Sequence, residues 1–370
     1  MKGLPWRSYF PIALVVLLGI TATWLIYREV TDLERQRVQL GFSEAARDRV
    51  LVIQREIDYA LGVVQDIGSF FDASRRVTRR QFREFVGPAL KRHPAIMALM
   101  WVPRVSGEQR HAFLAEARVS FPPFRIIEAN SSGASVSASE RAEHYPVLYV
   151  QPYQSNKDRL GLDLAAIPEE LAILRKAAES GEMRVSEPIA LDGGAGSAKG
   201  FAVHLPLFHR SGPEETEELS ETLGEPSVPA PTELRGYAVG WFRIGDLVKR
   251  ALSNLGPSGV DMQVLATDAH GQVHTVYSHA SWLHELYPER DREPVAAAES
   301  TWQVSKGIRL PGRLWSVVCT PVPGHYQPDP WSGRLILAAG VAFTLLSAVY
   351  LITLIGRAEQ VKRLVSQRTR

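Results

Sequence analysis

Tyr145, Tyr149, Phe201 and His204 stand in two apolar runs, HYPVLYVQPY (144–153) and GFAVHLPLF (200–208). An apolar wall carrying a few polar groups is what a small organic ligand needs. The same residues would also serve as ordinary sheet core. Asp163, in LGLDLA (160–165), precedes a helical pattern, and aspartate at a helix entrance commonly caps it.

Other chemistry-bearing patterns are weaker. The run DGGAGSAKG (192–200) lacks the G-x-x-x-x-G-K-[ST] order of a phosphate loop, because Lys199 follows alanine and Gly200 stands where the hydroxyl should be. It is expected to be a turn between strands. His270, His274, His279 and His284 recur at steps of four and five, unlike the paired spacing of zinc ligands, and read as a surface segment. The lone cysteine, Cys319, sits in an apolar strand pattern and cannot form an internal disulfide. No catalytic residue, metal site or cofactor is assigned.

The elements that hold these residues begin in lipid. Residues 9–27 and 335–355 carry no charge, and each is long enough to cross a hydrocarbon core as a helix. Basic residues flank both windows, and the 356–370 tail is strongly basic. Both ends are therefore expected in the cytoplasm and the long middle region outside. That middle region is mildly acidic, which gives no reason to expect a nucleic-acid partner.

From residue 28 to 75 the chain reads as one stalk helix. Val50, Ile53, Ile57, Ala60, Val64, Ile67 and Phe71 alternate steps of three and four, a seam fit either to dock on the domain that follows or to pair with a second copy. A short helix at 78–91 and helices near 108–117, 168–180 and 245–255 alternate with strand patterns at 96–105, 124–128, 145–153, 184–191, 201–209 and 236–243. A second strand set follows at 260–267, 271–278, 301–306 and 314–320. Strands mixed with single helices predict an α+β fold. Residues 211–234, rich in glutamate and proline, read as an exposed loop. Asn130 opens a glycosylation-type triplet of the kind that arises by chance.

The ordered series MWVPRVSGEQRHAF (100–113), FPPFRIIEA (121–129), HYPVLYVQPY, LGLDLA, GEMRVSEPIAL (181–191), GFAVHLPLF and RGYAVGWFRIGDLV (235–248) resembles the CHASE domain, an extracytoplasmic sensor of histidine kinases, diguanylate cyclases and plant cytokinin receptors. The resemblance implies a stalk helix and two PAS-like subdomains, here a membrane-distal one at 76–256 and a membrane-proximal one at 257–334. They are flanked by a cytoplasmic N-terminus (1–8), two membrane helices (9–27 and 335–355) and the start of a cytoplasmic signalling helix (356–370). It also implies a small-molecule ligand in the distal subdomain, with Asp163 at a position that contacts ligand in the cytokinin receptors. The expected function is the sensory input half of a histidine kinase or diguanylate cyclase in a bacterial inner membrane, with a periplasmic sensor, a homodimer through the stalk helix and no catalytic domain in this chain. The alternative is a sensor that works through a periplasmic protein partner.

Overall fold

The computed structural model describes residues 10–74, 76–130, 134–191, 198–210, 232–256, 258–268, 271–281, 283 and 302–368. Expectations for the N-terminal residues 1–8, most of the 192–200 glycine run, most of the 211–234 acidic loop, His270 and His284 lie outside them.

The chain forms two compact units. One comprises residues 1–45, 282–302 and 321–370; the other comprises 46–281 and 303–320. Helix α1 (Phe10–Asp72) is continuous, so the residues expected as the first membrane helix and the stalk belong to one helix. Helix α7 (Pro330–Arg368) likewise carries the second apolar window into the basic tail without a break. Both helices are long and apolar enough to cross a membrane.

Within the first unit, α1 and α7 meet through small residues. A Cβ on Gly19 would lie 2.4 Å from Thr344 Oγ1, and one on Gly340 would lie 2.3 Å from Thr23 Oγ1. Each threonine hydroxyl donates to the carbonyl one turn back on its own helix: Thr23 to Gly19 at 2.7 Å and Thr344 to Gly340 at 2.8 Å. The hydroxyls are thus satisfied without water, and close backbone approach supplies packing that lipid exclusion alone would not.

The second unit is built on an antiparallel sheet. Its strands include β1 (Ile96–Pro103), β6 (Tyr149–Gln151), β7 (Arg184–Val185), β9 (Lys199–Arg210) and β10 (Thr232–Arg243), in the order β6-β1-β10-β9-β7, with β8 (Ile189–Ala190) also on β9. Small ribbons pair β2 (Val105–Ser106) with β5 (Glu143–His144) and β3 (Ile127–Ala129) with β4 (Ser135–Ser137). The continuous strands expected at 145–153 and 184–191 are broken, because Pro146, Pro152 and Pro188 bring no ladder N–H. Helix α2 (Arg79–Arg92) starts at a Thr78–Gln81 capping box. Helix α3 (Arg110–Ser120) covers a small satellite core, and α4 (Tyr153–Asn156) is one turn. Helix α5 (Pro168–Ser180) begins on a first-turn proline and ends at left-handed Gly181.

The stalk seam docks on the chain's own sheet. Val50, Ile53, Ile57, Ala60, Val64, Ile67 and Phe71 are all buried, and Phe71 stacks on Trp101 at 4.2 Å. Gly68 of α1 lies against Leu205 and Leu207. Glu56 of α1 also holds Arg250 of α6 (Ile244–Leu252) at 2.9 Å and His93 at 3.4 Å. Burial, more than its charged neighbours, lowers the His93 pKa.

The second strand set is a sheet of four, ordered β12-β11-β14-β13: β11 (Val260–Thr267), β12 (Val273–His279), β13 (Val304–Leu310) and β14 (Arg313–Pro321). It joins the larger sheet in one unit: Trp315 packs edge-on against Phe201 at 5.5 Å, and the Val185 N–H donates to Pro311 O at 3.2 Å. Cys319 is buried in β14, and burial pushes its thiol up to about 11, so it is held as an inert thiol.

Candidate functional site

The sheet register divides the five expected ligand residues. Val150, Met100, Val239 and His204 are successive partners across β6, β1, β10 and β9, so they share one face. Tyr145 packs with them and meets Tyr237 at 5.5 Å, ring to ring. Tyr149 pairs with Trp101 one residue out of step and therefore points to the opposite face, where its ring lies 5.7 Å from Phe82 of α2. Phe201 is three residues from His204 and also faces away, stacking on Phe242 at 5.4 Å. The structure brings Tyr145, His204 and Asp163 to one side and leaves Tyr149 and Phe201 on the stalk side.

Asp163 is wholly buried, and its oxygens face the protein's own donors. Oδ2 lies 2.6 Å from His144 Nδ1, with Arg141 at 3.6 Å. Oδ1 accepts from the backbone N–H of Tyr145 at 2.8 Å and of Ala165 at 3.1 Å, capping the 3₁₀ turn Leu164–Ala166. A carboxylate only accepts, so His144 Nδ1 carries the proton in this pair. Asp163 is the brace of the loop that presents Tyr145, the capping role that its place before a helix allowed.

The chemistry that the sequence pattern missed surrounds His204. Glu170, on the first turn of α5, places Oε2 2.6 Å from His204 Nε2, both groups buried; the approach falls short of an aligned hydrogen bond and is a close carboxylate–imidazole contact. His204 Nδ1 has no partner among the described residues. Arg159 lies over the Trp241 ring, 3.6 Å from its centroid. Trp241 lies two residues along β10 from Val239, on the same face. The Tyr237 hydroxyl donates to Leu174 O at 2.7 Å, and the Tyr145 hydroxyl donates to Glu143 at 2.8 Å. Glu143 is held in turn by Arg104 at 2.5 Å. Burial raises the pKa of both tyrosines, which keeps them neutral donors. Glu170 could have been found only by knowing that α5 crosses this face, and Arg159 only by knowing that the 3₁₀ turn Lys157–Arg159 reaches Trp241. Their spacing to His204 carries no local signal.

Burial works to raise the Glu170 carboxyl, but His204 and then Arg159 overcome it, and the net shift is downward. An acid with a depressed folded pKa stabilises the fold above its unfolded value and loses that contribution as pH falls through the folded one. Stability, followed by urea melts, is therefore expected to fall as pH drops below about 4.5. Glu170→Gln should flatten that slope; an unchanged slope would show that the contact contributes nothing.

Of the series histidines, His274 and His279 lie among the described residues, both on β12. His274 Nε2 bonds Asp268 at 2.9 Å at the surface. Among the described residues no group of three or more His, Cys, Asp or Glu could hold a metal.

The chain thus joins an α+β unit, with a polar cluster set in one apolar sheet face, to two membrane-length helices. A family model of the CHASE domain matches residues 75–277, more than half of the chain, and the protein belongs to the CHASE domain family. A hybrid signal transduction histidine kinase A of Dictyostelium discoideum is 23% identical over 183 residues, 49% of this chain. The chain spans 8% of that kinase's length. Two solved structures are also similar. The ligand-binding domain of the Pseudomonas aeruginosa PAO1 amino acid chemoreceptor PctC, in complex with GABA, is 15% identical with a TM-score of 0.39, covering 75% of this chain and 97% of that one. The periplasmic sensory domain of the Campylobacter jejuni chemoreceptor Tlp1 is 10% identical with a TM-score of 0.39, covering 81% and 97%.

Proposed function

We propose that this chain is the input half of a two-pass membrane receptor, which binds a small organic ligand outside the cytoplasm on the sheet face around His204 and Glu170. The observation that carries this reading is His204 itself, at 0% exposure, with one ring nitrogen against Glu170 and the other unpartnered among the described residues. A buried imidazole nitrogen without a partner is costly unless something it can bond comes to it. Tyr145 and Tyr237 supply apolar surface, and Arg159 on Trp241 supplies a fixed cation. Asp163 contributes indirectly, by fixing the loop of Tyr145.

Both ends lie in the cytoplasm of a bacterial inner membrane, and the output is a histidine kinase or diguanylate cyclase joined to the basic helix of α7. The receptor is a homodimer. Because the stalk seam is buried in its own domain, the second copy meets α1 on another side, where Leu33, Leu40 and Leu51 are exposed. The ligand acts by favouring one packing of the sensory unit over another.

A thermal-shift screen of the chain in lipid nanodiscs tests the site. A ligand at about a hundred times its Kd adds about 2.7 kcal/mol of apparent stability. That shift is expected to disappear in His204→Gln, provided that the variant without ligand still melts cooperatively. A ligand shift that survives both His204→Gln and Glu170→Gln would remove this face from the binding site.

A further inference from the structure

Away from His204, on the other side of the sheet, the chain holds a cavity of about 230 Å³ between the entry to α2, helix α3 and edge strand β6. Val77, Phe113, Ala117 and Leu148 are among the residues that line it, with the ring of Tyr149 in its wall. Arg76 and Glu116, both well exposed, also line it and are bonded to each other. The walls are more apolar than polar, with Thr78, whose hydroxyl is bonded to Gln81, and Ser120 among them, and the charges come as one cation and one anion. The Tyr149 hydroxyl is already committed to Val77 O at 3.1 Å, so the interior offers little to a polar guest.

We propose that this cavity is a second binding site, for a small zwitterion with an apolar side chain, of the α-amino-acid type. A guest carboxylate would pair with Arg76 and a guest ammonium with Glu116, in place of their mutual bond, while the side chain fills the apolar interior. An exposed ion pair is a weak tie and gives way readily. A guest with one charge would leave Arg76 or Glu116 unmatched, whereas a zwitterion satisfies both. The volume is below that of pockets for drug-sized molecules, which limits the guest to a handful of heavy atoms. The position has a consequence for signalling: Tyr149 packs on Phe82 at 5.7 Å, and Phe82 lies 6.3 Å from Phe71, in the last turn of α1.

The test is isothermal titration of the full chain in nanodiscs with L-leucine, 4-methylpentanoate and 3-methylbutylamine, which share a branched side chain and differ in charge. L-leucine is expected to bind, and each singly charged analogue to bind about tenfold more weakly or worse. Arg76→Gln and Glu116→Gln, at exposed positions that do not hold the fold, should each weaken L-leucine about tenfold. His204→Gln should leave it unchanged, which separates this site from the one proposed above. No binding of L-leucine, equal binding of an analogue, or indifference to both substitutions would overturn the proposal.

Discussion

Asp163→Ala is expected to lower the melting temperature of the sensory unit by roughly 10 °C, whether or not ligand is present. The carboxylate binds His144 and two backbone N–H groups in a site closed to solvent. Removing it leaves an imidazole N–H and two amides buried without acceptors. Each buried polar group left without a partner costs about 1–3 kcal/mol, and each kcal/mol moves the midpoint of a domain this size by about 2–4 °C. Asp163→Asn keeps one acceptor oxygen for the amides and should fall between. A variant melting with the wild type would show that Asp163 is no brace, and would return it to direct ligand contact, the role that its place in LGLDLA implied.

Gly161→Ala should be as damaging, for a reason that lies in the backbone. Gly161 has φ +81°, and an added Cβ would sit 2.0 Å from the carbonyl oxygen of Arg125. Its N–H donates to Val147 O at 2.9 Å, and its carbonyl accepts from Ile127 N–H at 2.9 Å. The loop therefore cannot move aside without breaking both bonds. Gly181 provides the control: φ is +66°, with nothing within 4 Å of a Cβ. Alanine there meets only the left-handed backbone, about 1–2 kcal/mol. Gly161→Ala adds a backbone clash and is expected to cost roughly twice as much or more. Urea melts of the two variants measure the difference. Equal losses would mean that the close approach to Arg125 carries no weight.

Much of this was legible beforehand, for physical reasons. The uncharged windows announced both membrane-length helices, and the three-four alternation from Val50 to Phe71 marked residues that are all buried. Residues 260–267 were bounded as they fold, because turn residues bracket an apolar run there. The strand expected at 145–153 was overdrawn, since apolar content outvoted Pro146 and Pro152. The division of the site followed from strand parity. Tyr145 and Tyr149 look alike in sequence, but only the register shows that one joins His204 while the other turns to α2. Glu170 reaches His204 across more than thirty positions, and such a pairing is written in tertiary structure rather than in any local pattern.

The reciprocal glycine–threonine contacts of α1 and α7 bear on how movement would pass through the bilayer in the receptor proposed above. Sliding one helix along the other by a turn, about 5.4 Å, would carry Thr23 from Gly340 to the level of Ile336 and Leu337, or of Thr344, none of which leaves room for it. No neighbouring register offers the same interlock. The two helices of one chain are keyed together like a pin in its socket: gliding is blocked, while rocking about the glycine contacts keeps both threonines seated. In the proposed two-pass receptor, displacement on one side of the bilayer would then emerge on the other with its direction reversed, as at the two ends of a lever.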